Sequence, residues 1–326
     1  MPQALKRRAS ALVSMTMPSG ALMPRRGSGL SLATRIRREW VLFLLLAPAL
    51  VYFVVFHLWP IAGMVMAFQD FRIVGPSKFA GLKHFRALFA SPSFLQVLLN
   101  TLIISSMKII LFFPLPIIFA LMVNELRSIA LRKFVQATAY LPHFLSWVVI
   151  AGIWIAFLSP STGGANRFRG FMGLPPLDFM TDKSSIRWVL FASETWRSLG
   201  WDSIIYLAAL MRISPSLYES ADMDGASPLQ KVRFVTLPEL VPTMVTVFIL
   251  NLGFFLNAGF DQVFNMMNDS VISVVDILDT YVYRIGLLNM QYSFSTAASL
   301  FKGAIGLMLI LGTHTAAKRV TGKGLW

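Results

Sequence analysis

Charged side chains are scarce in this chain, at 13 % of 326 residues, and several of them sit inside long apolar runs. An ionisable or amide group in such a run is costly, and that cost points to function. The run from about Trp188 to Met211 carries Glu194, Trp196, Arg197, Trp201, Asp202 and Tyr206. The run from about Leu240 to Phe260 carries Asn251 and Asn257, with Asp261 at its outer end. A further run, Phe94 to Val123, carries Asn100 and Lys108. Aromatic rings flanked by hydrogen-bonding groups suit a ligand with apolar ring faces and hydroxylated edges, as a sugar has. A guanidinium such as Arg197 could also meet a carboxylate. As a set, Glu194, Trp196, Arg197, Trp201, Tyr206, Asn251 and Asn257 read as the lining of a pathway. The competing reading makes Glu194 and Arg197, three residues apart, an internal ion pair near the outer interface, with the asparagines bonding between helices.

Bond-making chemistry has little support. The four histidines, His57, His84, His143 and His314, lie at no metal-ligand spacing, and the absence of Cys removes thiolate sites. No G-x-x-x-x-G-K-[ST] phosphate loop occurs, so no cofactor is expected on this chain and any ATP must be bound elsewhere. No nucleophile–base or metal set converges, so the chain is not expected to be an enzyme.

The elements that must hold these residues are membrane spans. The chain is 56 % hydrophobic with a mean hydropathy of +0.66, whereas soluble domains carry about 25 % charged residues. The net charge of +14 comes from short basic clusters between apolar runs, a topology signal rather than a nucleic-acid face. Six spans fit, about Trp40–Phe68, Phe94–Val123, Phe134–Leu158, Trp188–Met211, Leu240–Phe260 and Phe294–Ala316, all helical because lone strands cannot satisfy their backbone in lipid. Pro48 and Pro60 are expected to kink the first, Pro114 and Pro116 to bend the second. Residues 1–39 form a basic tail, expected to be disordered at least as far as Gly29 and to touch anionic lipid. The first apolar run is long enough to span and has no cleavage site after it, so it reads as a retained helix. With the N-terminus inside, 17 Lys/Arg fall on the cytoplasmic side against eight outside, which places both termini in the cytoplasm. Residues 40–326 thus make one all-α, polytopic membrane domain. Its outer loops, roughly 69–93, 159–187 and 261–293, are too short for a separate core.

One polar segment, residues 213–240, interrupts this pattern on the cytoplasmic side. Ser214-Pro215 pairs an N-cap with Pro at the first helical position, and Gly225 is placed as a left-handed residue ending that helix. Ser227-Pro228 repeats the start signal for a second helix. Its Leu229, Val232, Val235 and Leu240 suit burial against the fifth span, and Pro238 must kink or restart it. A helix–Gly–helix elbow at a membrane surface is a docking shape.

Within that elbow, Glu219-Ser220-Ala221, Asp224-Gly225-Ala226 and Val235-Thr236-Leu237-Pro238 resemble the EAA motif, E-A-A-x-x-D-G-A then I-x-L-P, of ABC-importer permeases. The spacing fits without gaps; Ser220 replaces the usual Ala and Val235 the usual Ile. The stretches "LLLAPALVYFVVFHLWPIAGMVMAFQDF" and "KFAGLKHFRALFASPSFLQVLLNTL" are similar to the first span and following loop of sugar and oligosaccharide permeases. The likeness covers nearly the whole chain beyond the tail and is greatest to the oligosaccharide/polysaccharide branch, including permeases for alginate. It implies the six-helix type I importer permease fold of a bacterial cytoplasmic membrane. It also implies a second homologous permease, two ATP-binding subunits carrying ATP and Mg, and an extracytoplasmic solute-binding protein. The elbow would be the coupling helix. Glu219, Asp222 and Asp224 would face basic groups of the ATPase, Gly225 would permit the bend, and Leu237-Pro238 would anchor the second helix. The alternative is a secondary transporter driven by an ion gradient, which would show an inverted repeat and broken helices at the bilayer centre; neither is evident in the sequence.

Overall fold

The computed structural model describes residues 40–321, with side chains as far as Thr315. The basic tail, Lys318, Arg319 and Lys323 lie outside the described residues or side chains. The chain divides into two units, one ending at Gly63 and one starting at Met64. In the first, helix α1 starts at Trp40 and runs through a π turn, Val54–Leu58, to Gly63. None of the side chains from Trp40 to Gly63 is buried, and they are apolar all round, as a lipid-facing helix requires.

The second unit opens with a 3-10 turn, Met64–Phe68, and a two-residue antiparallel ribbon, β1 (Gln69–Asp70) with β2 (Lys78–Phe79). Then come α2 (Lys83–Ala90), the long α3 (Pro92–Asn124), α4 (Ile129–Tyr140), α5 (Trp147–Leu158), α6 (Gly164–Phe171) and α7 (Ile186–Leu210). The elbow helix α8 (Pro215–Met223) leads to the long α9 (Pro228–Gly253). Short α10 (Phe260–Met266), α11 (Ile272–Val275) and α12 (Leu278–Tyr283) precede α13 (Tyr292–Thr321).

Four described helical segments are long and apolar enough to cross a membrane: Trp40–Phe68, α3, α9 and the Tyr292–Thr315 part of α13. The expected third span is a broken pair, Ile129–Phe144 and Trp147–Leu158, bent by 106°. Pro142 and an extended Leu145 interrupt it, and Ser146 caps the restart by accepting from the Val149 N–H. The expected fourth span is present as the 25-residue α7, but Arg187, Glu194, Arg197 and Asp202 make it too polar to stand alone in lipid. It is shielded by neighbours instead, packing on the C-terminal half of α3, on α4 and on α9. The fifth span starts earlier than expected, at Pro228, and ends at Gly253 rather than Phe260.

Proline is absorbed by the same device three times. The π turns Val54–Leu58, Lys108–Phe112 and Val232–Thr236 each end two residues before a proline, Pro60, Pro114 and Pro238. Proline lacks an N–H and its ring crowds the carbonyl four residues back. Widening the preceding turn to i→i+5 bonding, as in Leu237 N–H to Val232 O, makes room without ending the helix. This resolves the difficulty that Pro238 posed.

Three apolar clusters hold the second unit together. One joins α3, α5, α7 and the outer helices through Ile104, Ile186, Leu190 and Met266; another joins α2, α3, α12 and α13 through Leu88, Phe94, Leu278 and Ala298. The third joins α3, α7 and α9 through Ile117, Ala120, Tyr206 and Leu240. The outer segment is also pinned by polar bonds. Buried Asp276 accepts from Thr280 Oγ1 at 2.7 Å and Arg284 at 2.5 Å, while Asn100 donates to the Ser273 and Asp276 carbonyls. Asn100, singled out as a polar group in an apolar run, is therefore a structural tie.

Helices α4 and α7 touch at Gly200, where a Cβ would overlap the Ala139 backbone and come within 2.8 Å of its Cβ. Gly200→Val should destabilise the protein by about 1–3 kcal/mol through overpacking, read as a lower apparent melting temperature in detergent. An unchanged temperature would mean that the two helices do not meet there.

Candidate functional site

A cavity of about 720 Å³ opens among α3, α5, α7 and the end of α9. Its polar lining is Ser105, Lys108, Glu194, Asp202, Tyr206, Asn251 and Asn257, and its aromatic walls include Trp147, Trp201, Phe112 and Phe254. Of the sequence-derived pathway residues, Glu194, Trp201, Tyr206, Asn251 and Asn257 meet here. Asn257 does so from an unexpected place, because it lies in the loop after α9, ahead of the left-handed Gly259 that starts α10.

Lys108 is the electrostatic centre of this wall. It opens the π turn of α3, and its ammonium donates to Glu194 Oε2 at 2.9 Å, the Ala258 carbonyl at 2.8 Å and Gln262 Oε1 at 2.8 Å. All three N–H bonds are used. Glu194 accepts a second bond from Ser198 Oγ at 2.9 Å, and Gln262 donates onward to the Leu190 carbonyl and Ser193 Oγ. The side chains of Lys108 and Glu194 are only 17 % and 18 % exposed, so the pair depends on these added bonds to offset desolvation. Gly259, at φ +96°, lies where a Cβ would come within 2.7 Å of the Lys108 nitrogen. Only glycine leaves room for the ammonium.

The Glu194–Arg197 ion pair of the competing reading does not form, because Lys108 takes Glu194 from across the bundle. Arg197 turns away and does not line the cavity: its guanidinium lies 5.0 Å from the Trp147 ring centre and donates weakly to the His143 carbonyl at 3.4 Å. Trp196 is also outside the lining, its ring meeting Trp154 edge-on at 6.4 Å. Sequence reasoning missed Trp147, Gln262 and Gly259, which share a wall with Lys108 only through the fold. The missed His143 stacks flat on Trp201, 4.3 Å between centres and 2° between planes, so it holds that ring in place.

The elbow at residues 213–240 is built largely as its sequence signals indicate. Helix α8 starts at Ser214-Pro215, although the Ser214 side chain makes no cap bond, and it ends at Gly225 with φ +71°. The Gly225 N–H reaches the Asp222 carbonyl at 3.0 Å and the Ala226 N–H reaches the Ala221 carbonyl at 2.9 Å, a complete Schellman closure. Ser227 and Gln230 then form a capping box that starts α9. An ion pair between Asp222 and Lys231 crosses the bend, and Tyr218 Oη meets Thr236 Oγ1 at 3.0 Å. Asp222, expected to face a partner's cation, is thus already matched within the chain. Among the described residues, Glu219 and Asp224 are exposed and make no hydrogen bond or ion pair. Ser220, Ala221, Asp224, Gly225 and Ala226 line a shallow hollow of about 410 Å³ with Phe234. Leu229 is 78 % exposed rather than buried, whereas Leu240 is fully buried. The second helix continues into the fifth span instead of packing against it, so only its far end reaches the core.

The family of binding-protein-dependent transport system inner membrane components matches residues 112–320, which take in α7, α9 and the whole elbow but begin after Lys108. The chain belongs to this family. The polygalacturonan/rhamnogalacturonan transport system permease protein YteP of Bacillus subtilis is 38 % identical over 90 % of this chain and 93 % of its own length. Protein LplB of the same organism is 37 % identical over 92 % of this chain and 95 % of its own. One chain of the crystal structure of a bacterial alginate ABC transporter, bound to its periplasmic protein carrying an alginate pentasaccharide, is 38 % identical. It covers 90 % of this chain and 99 % of its own, with a TM-score of 0.84. The chain is thus an importer permease with the fold that its motif implied, a multi-pass inner-membrane transport subunit.

Replacing Lys108 by Met leaves Glu194 buried without its cation, which should cost about 3–5 kcal/mol. The double variant Lys108→Met/Glu194→Gln should recover much of that loss. Thermal denaturation of the three proteins in one detergent checks this; equal stability of the single and double variants would show that the pair is not the tie.

Proposed function

We propose that this chain is one of two transmembrane subunits of an ATP-driven importer for a carbohydrate, an oligosaccharide or polysaccharide with uronic-acid polymers such as alginate foremost. It carries out no bond chemistry. Two partner subunits bind ATP and Mg, a second homologous permease completes the pathway, and an extracytoplasmic binding protein delivers the substrate. Both termini lie in the cytoplasm. The observation that carries this reading is the elbow, in which Glu219 on its helix and Asp224 at the bend are exposed and unpaired among the described residues. Two uncommitted carboxylates on a short, capped helix suit the basic rim of a partner cleft.

Coupling follows from how the elbow is joined to the bundle. The Schellman turn, the Asp222–Lys231 pair and the Tyr218–Thr236 bond tie α8 to the base of α9. A push on α8 therefore moves α9, whose far end carries Asn251 and leads to Asn257 in the cavity wall. Closure of the ATPase pair would reach the pathway as movement of one rigid body. The aromatic walls and uncommitted amides of the cavity suit sugar rings and hydroxyls.

Glu219→Lys in the assembled transporter should lower substrate-stimulated ATPase and uptake together by about tenfold or more, equivalent to about 1.4 kcal/mol of docking energy. Asp222→Asn should have a smaller effect, since Lys231 already matches that charge. Uptake that persists at full coupling in Glu219→Lys would remove the docking assignment. Gly225→Val forces a β-branched residue to positive φ and should weaken assembly with the ATPase subunits, measured by co-purification; intact co-purification would argue that the bend is dispensable.

A further inference from the structure

The cavity wall holds three charged side chains, and their commitments differ. Lys108 has all three N–H bonds engaged, and Glu194 is paired with it. Asp202 is exposed to the cavity and, among the described residues, makes no hydrogen bond or ion pair. Asn251 and Asn257 are also exposed there without side-chain partners. Arg197, the cation next along α7, lies over the Trp147 ring and outside the lining, within electrostatic range of Asp202 but not paired with it. Among the described residues, the uncommitted hydrogen-bonding groups of the lining thus include one carboxylate, two amides and the Tyr206 hydroxyl, with no uncommitted cation. Asp202 also follows directly on Trp201, whose ring is 41 % exposed and is backed on one face by His143. An aromatic face beside a carboxylate holds a sugar ring by stacking while the two carboxylate oxygens accept from neighbouring hydroxyls.

We propose that Asp202 is a specificity-determining residue that binds the hydroxyl edge of the passing sugar and repels carboxylates, so a uronic-acid chain must cross this subunit with its carboxylates turned away. The proposal rests on the carbohydrate-import reading above and deepens it. An acidic polymer is accepted only because its charged edge faces the second permease, and this subunit supplies the half that reads hydroxyls. The physical basis is Coulombic. A carboxylate in a cavity walled largely by apolar and aromatic side chains opposes an incoming one with less screening than in bulk water, and an ionised oxygen accepts a hydroxyl hydrogen bond more strongly than an amide does.

The test uses the complete transporter, with its own partner permease, ATPase subunits and binding protein, reconstituted in liposomes. Two probes share one backbone: an oligogalacturonide and its fully methyl-esterified form, in which each carboxylate is neutral. Uptake kcat/KM is measured for both with wild type, Asp202→Asn and Asp202→Glu, and assembly is checked by size-exclusion chromatography. Because the binding protein is constant, its own preference cancels in the comparison of acid-to-ester ratios between variants. Asp202→Asn is expected to shift the ratio towards the acid by about tenfold, the scale of one removed like-charge contact across a few ångströms of partly screened cavity, and Asp202→Glu should stay near wild type. A ratio unchanged in Asp202→Asn, or equal losses for both probes, would overturn the role of Asp202 while leaving carbohydrate import standing. If wild type takes up neither probe and its ATPase responds to neither, the uronic-acid reading falls and this inference falls with it.

Discussion

An ammonium held by three acceptors from three directions organises the membrane core of this protein. Lys108 comes from the second span, Glu194 from the fourth, and the Ala258 carbonyl and Gln262 from the segment after the fifth. A lone charge at that depth would be prohibitive, and any one partner would leave donors unsatisfied. The bundle must therefore bring all three acceptors to one point or lose the site, and Gly259 keeps that point clear. The same requirement explains why α7 tolerates its polar residues: its charged face is turned to the protein rather than to lipid.

The elbow and the cavity sit at opposite ends of α9. Its elbow end is tied by several local bonds: a Schellman closure, a capping box, one ion pair and one hydroxyl bond. Its other end is irregular, with the helix stopping at Gly253 and the chain turning before Gly259. The helix is thus tied tightly at one end and gives way to irregular backbone where it borders the cavity.

Much of this was legible in the sequence, and the reasons are local. Ser227, Pro228, Gln230 and Gly225 act within a few residues of themselves, so their caps and turn could be read directly. The apolar runs gave four spanning segments because length and hydropathy suffice for that. What could not be read was which polar groups meet. Glu194 had Arg197 three residues away, yet its partner lies 86 positions earlier. Arg197 and Trp196 looked like pathway residues by type, but helix rotation put them outside the cavity. The 106° break in the third span turned on Pro142 and an extended Leu145 within an otherwise continuous apolar run.

The π turns carry a consequence beyond making room for proline. Each adds a residue to its helix without adding an α turn, and successive residues of an α-helix are offset by about 100° around the axis. In α3 the added residue falls between Lys108, which points at the acceptor node, and Ile117 and Ala120, which point at α7 and α9. It therefore sets the angular phase between the polar and apolar halves of one span. A single-residue deletion there would leave composition and hydropathy almost untouched, yet it would swing one half of the helix away from its partners. The span is thus an indexed shaft, and Pro114 marks where its index is cut.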